Sequence, residues 1–179
     1  MKKLHFGCGK NELIGWDNLD LPSTDVRDKL KFDNDFIDFI FHEHMLEHLN
    51  VVKGYDFMNE CYRILKPKGV MRVSCPSIDG LIWVYNNWDK VPPTKWKLKR
   101  HGNDKNTFIN NNIWGQDGHK HYDDKDSIMK KLSKIGFHHI QFLDKHKSKH
   151  ADLRKLERRE GGGFDKWPDQ IDMTLEAMK

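Results

Sequence analysis

The chain has 179 residues and a formal net charge of +4, long enough for one domain with a real core and short for two. The positive excess lies late: residues 1–90 hold 12 Lys+Arg against 14 Asp+Glu, and residues 91–179 hold 19 against 13. That balance reads first as a solvated lysine-rich surface and second as an attraction for an acidic or phosphorylated partner.

The start, "MKKLHFGCGK", has lysines but no apolar run, so no secretory leader is expected. No later stretch approaches a membrane span. The three cysteines, Cys8, Cys61 and Cys75, show no C-x-x-C spacing, which argues against a redox or thiolate metal motif. A reducing, cytoplasmic setting is the expectation.

Leu4–Phe6 reads as a short strand stopped by Gly7 and Gly9, and Trp16–Leu21 as a second stopped by Pro22. Phe36–Phe41 is nearly all apolar and suits a third strand covered on both faces. A helix follows, with Phe57, Met58, Cys61, Ile64 and Leu65 on one face and Pro67 and Gly69 past its end. Val70–Cys75 is the fourth strand. Residues 79–122 interrupt the rhythm with Trp83, Trp88, Trp96, Trp114, paired prolines and an Asn-rich run; so long an insertion is a candidate lid or binding loop. The run "DSIMKKLSKIGF" is a second amphipathic helix, with Asp126 able to cap its start and Gly136 its end. His138–Leu143 and "IDMTLEAM" are strands; basic residues 145–160 suit a helix, and Gly161–Gly163 a connector. Strands alternating with helices indicate a mostly parallel α/β sheet.

The glycines after strand one allow a sharp turn and close approach to a ligand. A carboxylate at the tip of strand two, Asp20, can accept hydrogen bonds from both hydroxyls of a ribose. A dinucleotide would require G-x-G-x-x-G opening a helix, with the acid roughly 20 residues on. Here Lys10, Asn11 and Glu12 follow Gly9, and Asp20 comes eleven residues after it. That leaves almost no room for a phosphate-binding helix, so NAD is disfavoured.

In order and spacing, the motifs resemble the class I S-adenosylmethionine (SAM) dependent methyltransferases, in a small branch with a very short first crossover. The resemblance rests on Phe6-Gly7-Cys8-Gly9, Asp20, the loose run Asp25, Leu30, Phe32 and Asp35–Asp38, then Leu46-Glu47-His48, then Arg63, Leu65, Lys66, Pro67 and Gly69, and finally Gly136-Phe137. Gly118-His119-Lys120-His121-Tyr122-Asp123 approximates a further segment of that branch. It implies a single Rossmann-like domain over 1–179, with a mostly parallel sheet of about six strands, flanking helices and an antiparallel C-terminal strand. Residues 79–122 would be an insertion able to cover substrate.

SAM is the cofactor implied, and lacking phosphate it needs no helix dipole behind the glycines. Phe6, Gly7, Cys8 and Gly9 would meet its methionine part, Asp20 its ribose, Asp25 and Val26 its adenine, and His42 and Glu43, just past strand three, its sulfonium end. Among eleven histidines, His119 and His121 follow the insertion and are candidate bases facing the acceptor. His44, Glu47 and His48 stand at i, i+3, i+4, one face of a helical turn, and are similar to the Glu-x-x-Glu-His metal ligands of some methyltransferases acting on RNA ends or quinone precursors. A divalent ion there stands second to a metal-free site. The acceptor expected is a small molecule or glycan, such as a sugar hydroxyl. RNA, motivated by the basic second half, and a non-catalytic SAM-binding module are the alternatives.

Overall fold

The computed structural model describes residues 1–91, 102–113, 118–157 and 171–179. The expectations for Trp96, Trp114, the paired prolines and Gly161–Gly163 lie outside them. Ten elements follow in chain order: β1 (Lys3–Phe6), β2 (Asp17–Leu19), β3 (Ile37–Glu43), α1 (Val51–Ile64), β4 (Leu65–Pro76), α2 (Ile78–Asn86), α3 (Lys105–Ile113), α4 (Lys125–Ile135), β5 (His138–Leu143) and β6 (Asp172–Met178). The sheet order is β2-β1-β3-β4-β6-β5. β2, β1, β3 and β4 pair in parallel, and only β6 runs against its neighbours, β4 and β5. This is the mostly parallel α/β sheet expected, with its antiparallel last strand.

One face is covered as the sequence pattern dictates. Phe57, Met58, Cys61 and Ile64 of α1 and Ile128 and Leu132 of α4 are buried against Leu4, Phe6, Ile40 and Val73. Asn50 caps α1 by accepting from the Lys53 N–H. Asp124, rather than Asp126, caps α4, because its carboxylate stands where it can accept from the Ser127 N–H at 2.6 Å. Gly136, at φ +121°, ends that helix; a Cβ there would come within 2.9 Å of the Tyr62 ring.

The opposite face is covered differently, and this accounts for the missing crossover helix. Parallel strands ordinarily need a long connection, usually helical, yet the link between β1 and β2 contains none. Its Leu13 and Trp16 turn inward onto Phe41, Val70, Leu153 and Leu156. Asn18 in β2 holds the loop: its Oδ1 accepts from the Leu13 N–H, and its Nδ2 donates to the carbonyls of Leu13 and Trp16. Residues 144–157 lie on that face too, through Leu153 and Leu156. The described part of the basic segment expected as a helix, 145–157, contains only a single 3-10 turn, Ala151–Leu153. Left-handed backbone at His146 and Lys155 interrupts it. It is pinned by Arg72, fully buried in β4, whose guanidinium reaches Glu157 at 2.6 Å, Glu176 at 2.7 Å and the Lys147 carbonyl. The described part of the 79–122 insertion makes a second small core, in which Leu81, Val84, Trp88, Val91 and Phe108 pack with Ile171.

Candidate active site

At the C-terminal ends of β1 and β2, where ligands bind in such sheets, a cavity of about 340 Å³ is lined by Gly7, Asp20, Val26, His44, Met45 and Lys120, among others. Gly7 has φ +65°, and a Cβ added there would lie 2.7 Å from Met45 Cγ, so no side chain fits. The Gly9 N–H donates to Asp20 Oδ2 at 2.6 Å, and the Leu21 N–H donates to Asp20 Oδ1. Glycine turn and acid are therefore one unit. Phe6 and Cys8 are buried, and neither lines the cavity. Asp25 also lines it, but Arg27 grips both its oxygens. Those bonds hold its carboxyl down at about 2.

His42 and Glu43 are not past the strand; they are its last two residues. β3 runs two positions further than its apolar pattern indicates, because His42 pairs with Phe6 and Val73 and Glu43 with Ser74. His42 is fully buried, edge-on to Phe57 at 5.4 Å. Burial lowers it to about 4, so it is neutral. The first loop residue is His44, at φ +49°, and it is His44 that lines the cleft.

His44 stands between two carboxylates, with Nδ1 at 3.3 Å from Glu47 Oε1 and Nε2 at 3.2 Å from Asp172 Oδ2. Burial disfavours its charge, but Asp172 and Glu47 outweigh that and push it up to about 9. Burial works to raise Glu47 and Asp172 too, and the His44 cation brings both below the carboxylate range, with Lys145 at 3.1 Å assisting Asp172. Asp172 went unseen in the sequence, since nothing local links the start of the last strand to a loop 128 residues earlier.

The segment from Gly118 to Asp123 is strapped onto the turn Leu46–His48 by the Lys120 N–H, which donates to the Glu47 carbonyl at 2.7 Å. It brings His119 beside His48, ring centroids 4.7 Å apart, with Nε2 at 3.9 Å from Glu47. His119 Nδ1 hydrogen-bonds the Tyr122 hydroxyl at 2.6 Å. His121 turns elsewhere: Nδ1 bonds the Leu49 carbonyl at 2.7 Å and Nε2 faces Asp123 at 3.5 Å. The ligand atoms of Glu47, His48 and His119 lie within 4.8 Å of one another. The fold thus gathers Glu47 and His48 with His119, while His44 lies outside the Leu46–His48 turn.

Residues 7–73 match the methyltransferase domain family model. The fold is similar to that of a SAM-dependent methyltransferase from Archaeoglobus fulgidus (TM-score 0.57, 16% identity, 99% of this chain and 86% of that one covered). It is also similar to SAM-dependent methyltransferases from Thermotoga maritima (0.53, 14%, 99% and 82%) and Mesorhizobium loti (0.52, 12%, 99% and 90%). At such identities these structures speak for the fold alone. No curated protein matches the chain. The matched segment runs from the glycine turn through the acid and α1 into β4. Over that segment the chain is similar to the methyltransferase domain family. Among the described residues no helix is long and apolar enough to cross a membrane.

Proposed function

We propose that the chain transfers a methyl group from SAM to a hydroxyl of a small polar acceptor, with a sugar as the acceptor class. The carrying observation is the cleft lined by Gly7 and Asp20, with the Asp20 carboxylate tied to the Gly9 N–H of the same turn. These residues fit the donor. Gly7 and Gly9 would take its amino-acid end, Asp20 the ribose, and Val26 with the Asp25 backbone the adenine. His44 and Met45 line the cleft where His42 and Glu43 do not, and would stand at the sulfonium.

The bound donor supplies a methyl carbon already activated by sulfur: the C–S bond breaks with its electron pair going to sulfur, the O–C bond forms, and the hydroxyl proton leaves. What remains for the protein is alignment, worth up to roughly 7–11 kcal/mol in favourable cases, and acceptance of that proton. The strap carrying His119 and His121 and the helices of the 79–122 insertion would close the site. His119, beside Glu47 and the Tyr122 hydroxyl, and His121, beside Asp123, are the two candidates for accepting the proton. A second reading, a divalent ion on Glu47, His48 and His119, is favoured by their mutual approach and suits imidazole and carboxylate donors. Stoichiometric Mn²⁺ or Zn²⁺ binding, lost in His48→Ala, is its test.

Calorimetry with S-adenosylhomocysteine, then transfer of labelled methyl to a sugar panel and to RNA, tests the main reading. Binding with labelled sugar supports it. Labelled RNA would replace the acceptor class, and binding with no labelled acceptor would favour a non-catalytic module. Absence of binding overturns the cleft assignment.

A further inference from the structure

A second, larger cavity of about 600 Å³ opens beyond the C-terminal ends of β4 and β5. Its walls combine two aromatic rings, Trp83 and Phe142, with charged and hydroxyl side chains. Asp79, Asp144 and Asp172 stand against Lys125 and Lys145 around it, with His44 behind Asp172, so no strong net field selects a highly charged ligand. Apolar walls carrying a few fixed polar groups are the usual make-up of a small-molecule site.

One of those groups is incompletely satisfied. The Asp172 side chain is 2% exposed. Its Oδ2 receives His44 and Lys145, while Oδ1 is buried with no hydrogen-bond partner among the described residues. Buried carboxylate oxygens are ordinarily hydrogen-bonded, and an exception calls for an explanation.

From the cavity, its near-balanced charge and this unpartnered oxygen, we infer that the cavity is the acceptor site, that it takes a neutral polyhydroxylated molecule of monosaccharide size, and that Asp172 Oδ1 accepts a hydrogen bond from one of its hydroxyls. The two sites share no lining residue and are separated by one bonded pair of side chains. His44 lines the SAM cleft, and its far nitrogen bonds Asp172, which lines the acceptor cavity. An acceptor held by Asp172 and flanked by Trp83 and Phe142 is therefore next to the place assigned to the sulfonium. Asp172 is here a positioning group for the acceptor. This deepens the proposed function and rests on the neighbouring cleft being the SAM site.

The test is titration of the full chain, followed by protein NMR, with the methyl glycosides of glucose, galactose, mannose and rhamnose, each with and without saturating S-adenosylhomocysteine. At least one glycoside is expected to bind and to shift the Trp83 indole resonance. Trp83→Ala and Asp172→Asn are each expected to weaken that glycoside by about tenfold or more, while Trp83→Ala leaves the affinity for S-adenosylhomocysteine within a small factor of wild type. If Asp172→Asn does not fold, Trp83→Ala decides alone. No glycoside binding at high millimolar concentration, or binding that neither variant weakens, overturns the inference. Glycoside binding with no S-adenosylhomocysteine binding would instead remove the SAM reading of the first cleft and leave the sugar site standing.

Discussion

His44 Nε2 lies 3.2 Å from Asp172 Oδ2, across 128 residues of chain. The pair joins the loop after β3 to the first residue of β6, and each partner lines a different cavity. A charged pair so deeply covered gains little net stability from its own attraction, because desolvation opposes it. Its effect is geometric: it sets the spacing between the two cavities.

Asp20→Ala is expected to weaken S-adenosylhomocysteine binding by about tenfold or more, since hydrogen bonds to a charged acceptor contribute roughly 1.5–3 kcal/mol. The same change frees the Gly9 N–H from its carboxylate, so the glycine turn should also loosen. Asp20→Asn should retain part of the affinity. Calorimetry that finds Asp20→Ala equal to wild type would reject Asp20 as the ribose partner.

Gly7→Ala is expected to destabilise the fold as well as obstruct the cleft. A left-handed backbone costs an L residue about 1–2 kcal/mol, and the added Cβ would sit 2.7 Å from Met45 Cγ. Thermal unfolding should show a lowered Tm. Adding Met45→Ala should relieve only part of the clash, because the Met45 Cβ that alanine keeps would still lie 2.9 Å away, and it leaves the backbone penalty in place.

Arg72→Met would strand Glu157 and Glu176 in the interior, where both are buried. Removing one partner of a buried ionic cluster typically costs about 3–5 kcal/mol. Limited proteolysis should then cut within residues 144–157, which Arg72 pins. Replacing all three side chains by apolar residues of similar volume should recover most of the loss.

Acid should destabilise the chain through two core histidines. Burial lowers His5 and His42 to about 4, against an ordinary value of 6.5. Between those values the unfolded chain binds protons that the folded chain does not, so stability declines as pH falls from 6.5 toward 4 and gains no pH dependence from them above 6.5. His44 acts in the opposite sense: raised to about 9, it contributes stability below pH 6.5 that is lost as pH rises through 9. Urea unfolding from pH 7 to 4.5 should show a shallower decline in His42→Leu than in wild type; an unchanged slope would mean that His42 takes no part.

Local chemistry was legible wherever short range decides it. Leu4 and Phe6 before two glycines made a strand and turn, Phe57 through Ile64 made an amphipathic helix, and Gly136 stopped another. The end of β3 was not legible, because His42 and Glu43 are polar and enter the strand only through pairing with β1 and β4. Nor was the 145–157 segment. Its lysines suggest an exposed helix, but Arg72 and Glu157 anchor it as an irregular cover in place of a crossover helix.

The sequence by itself determined the class of fold and the glycine-and-acid cleft, since both arise from residues close along the chain whose steric and hydrogen-bonding needs are local. The tertiary structure alone decided that Asp172, Lys145 and His119 join His44 and Glu47, and that a second cavity stands next to the first. Those groups lie tens of residues apart, and only sheet order and register bring them within bonding distance.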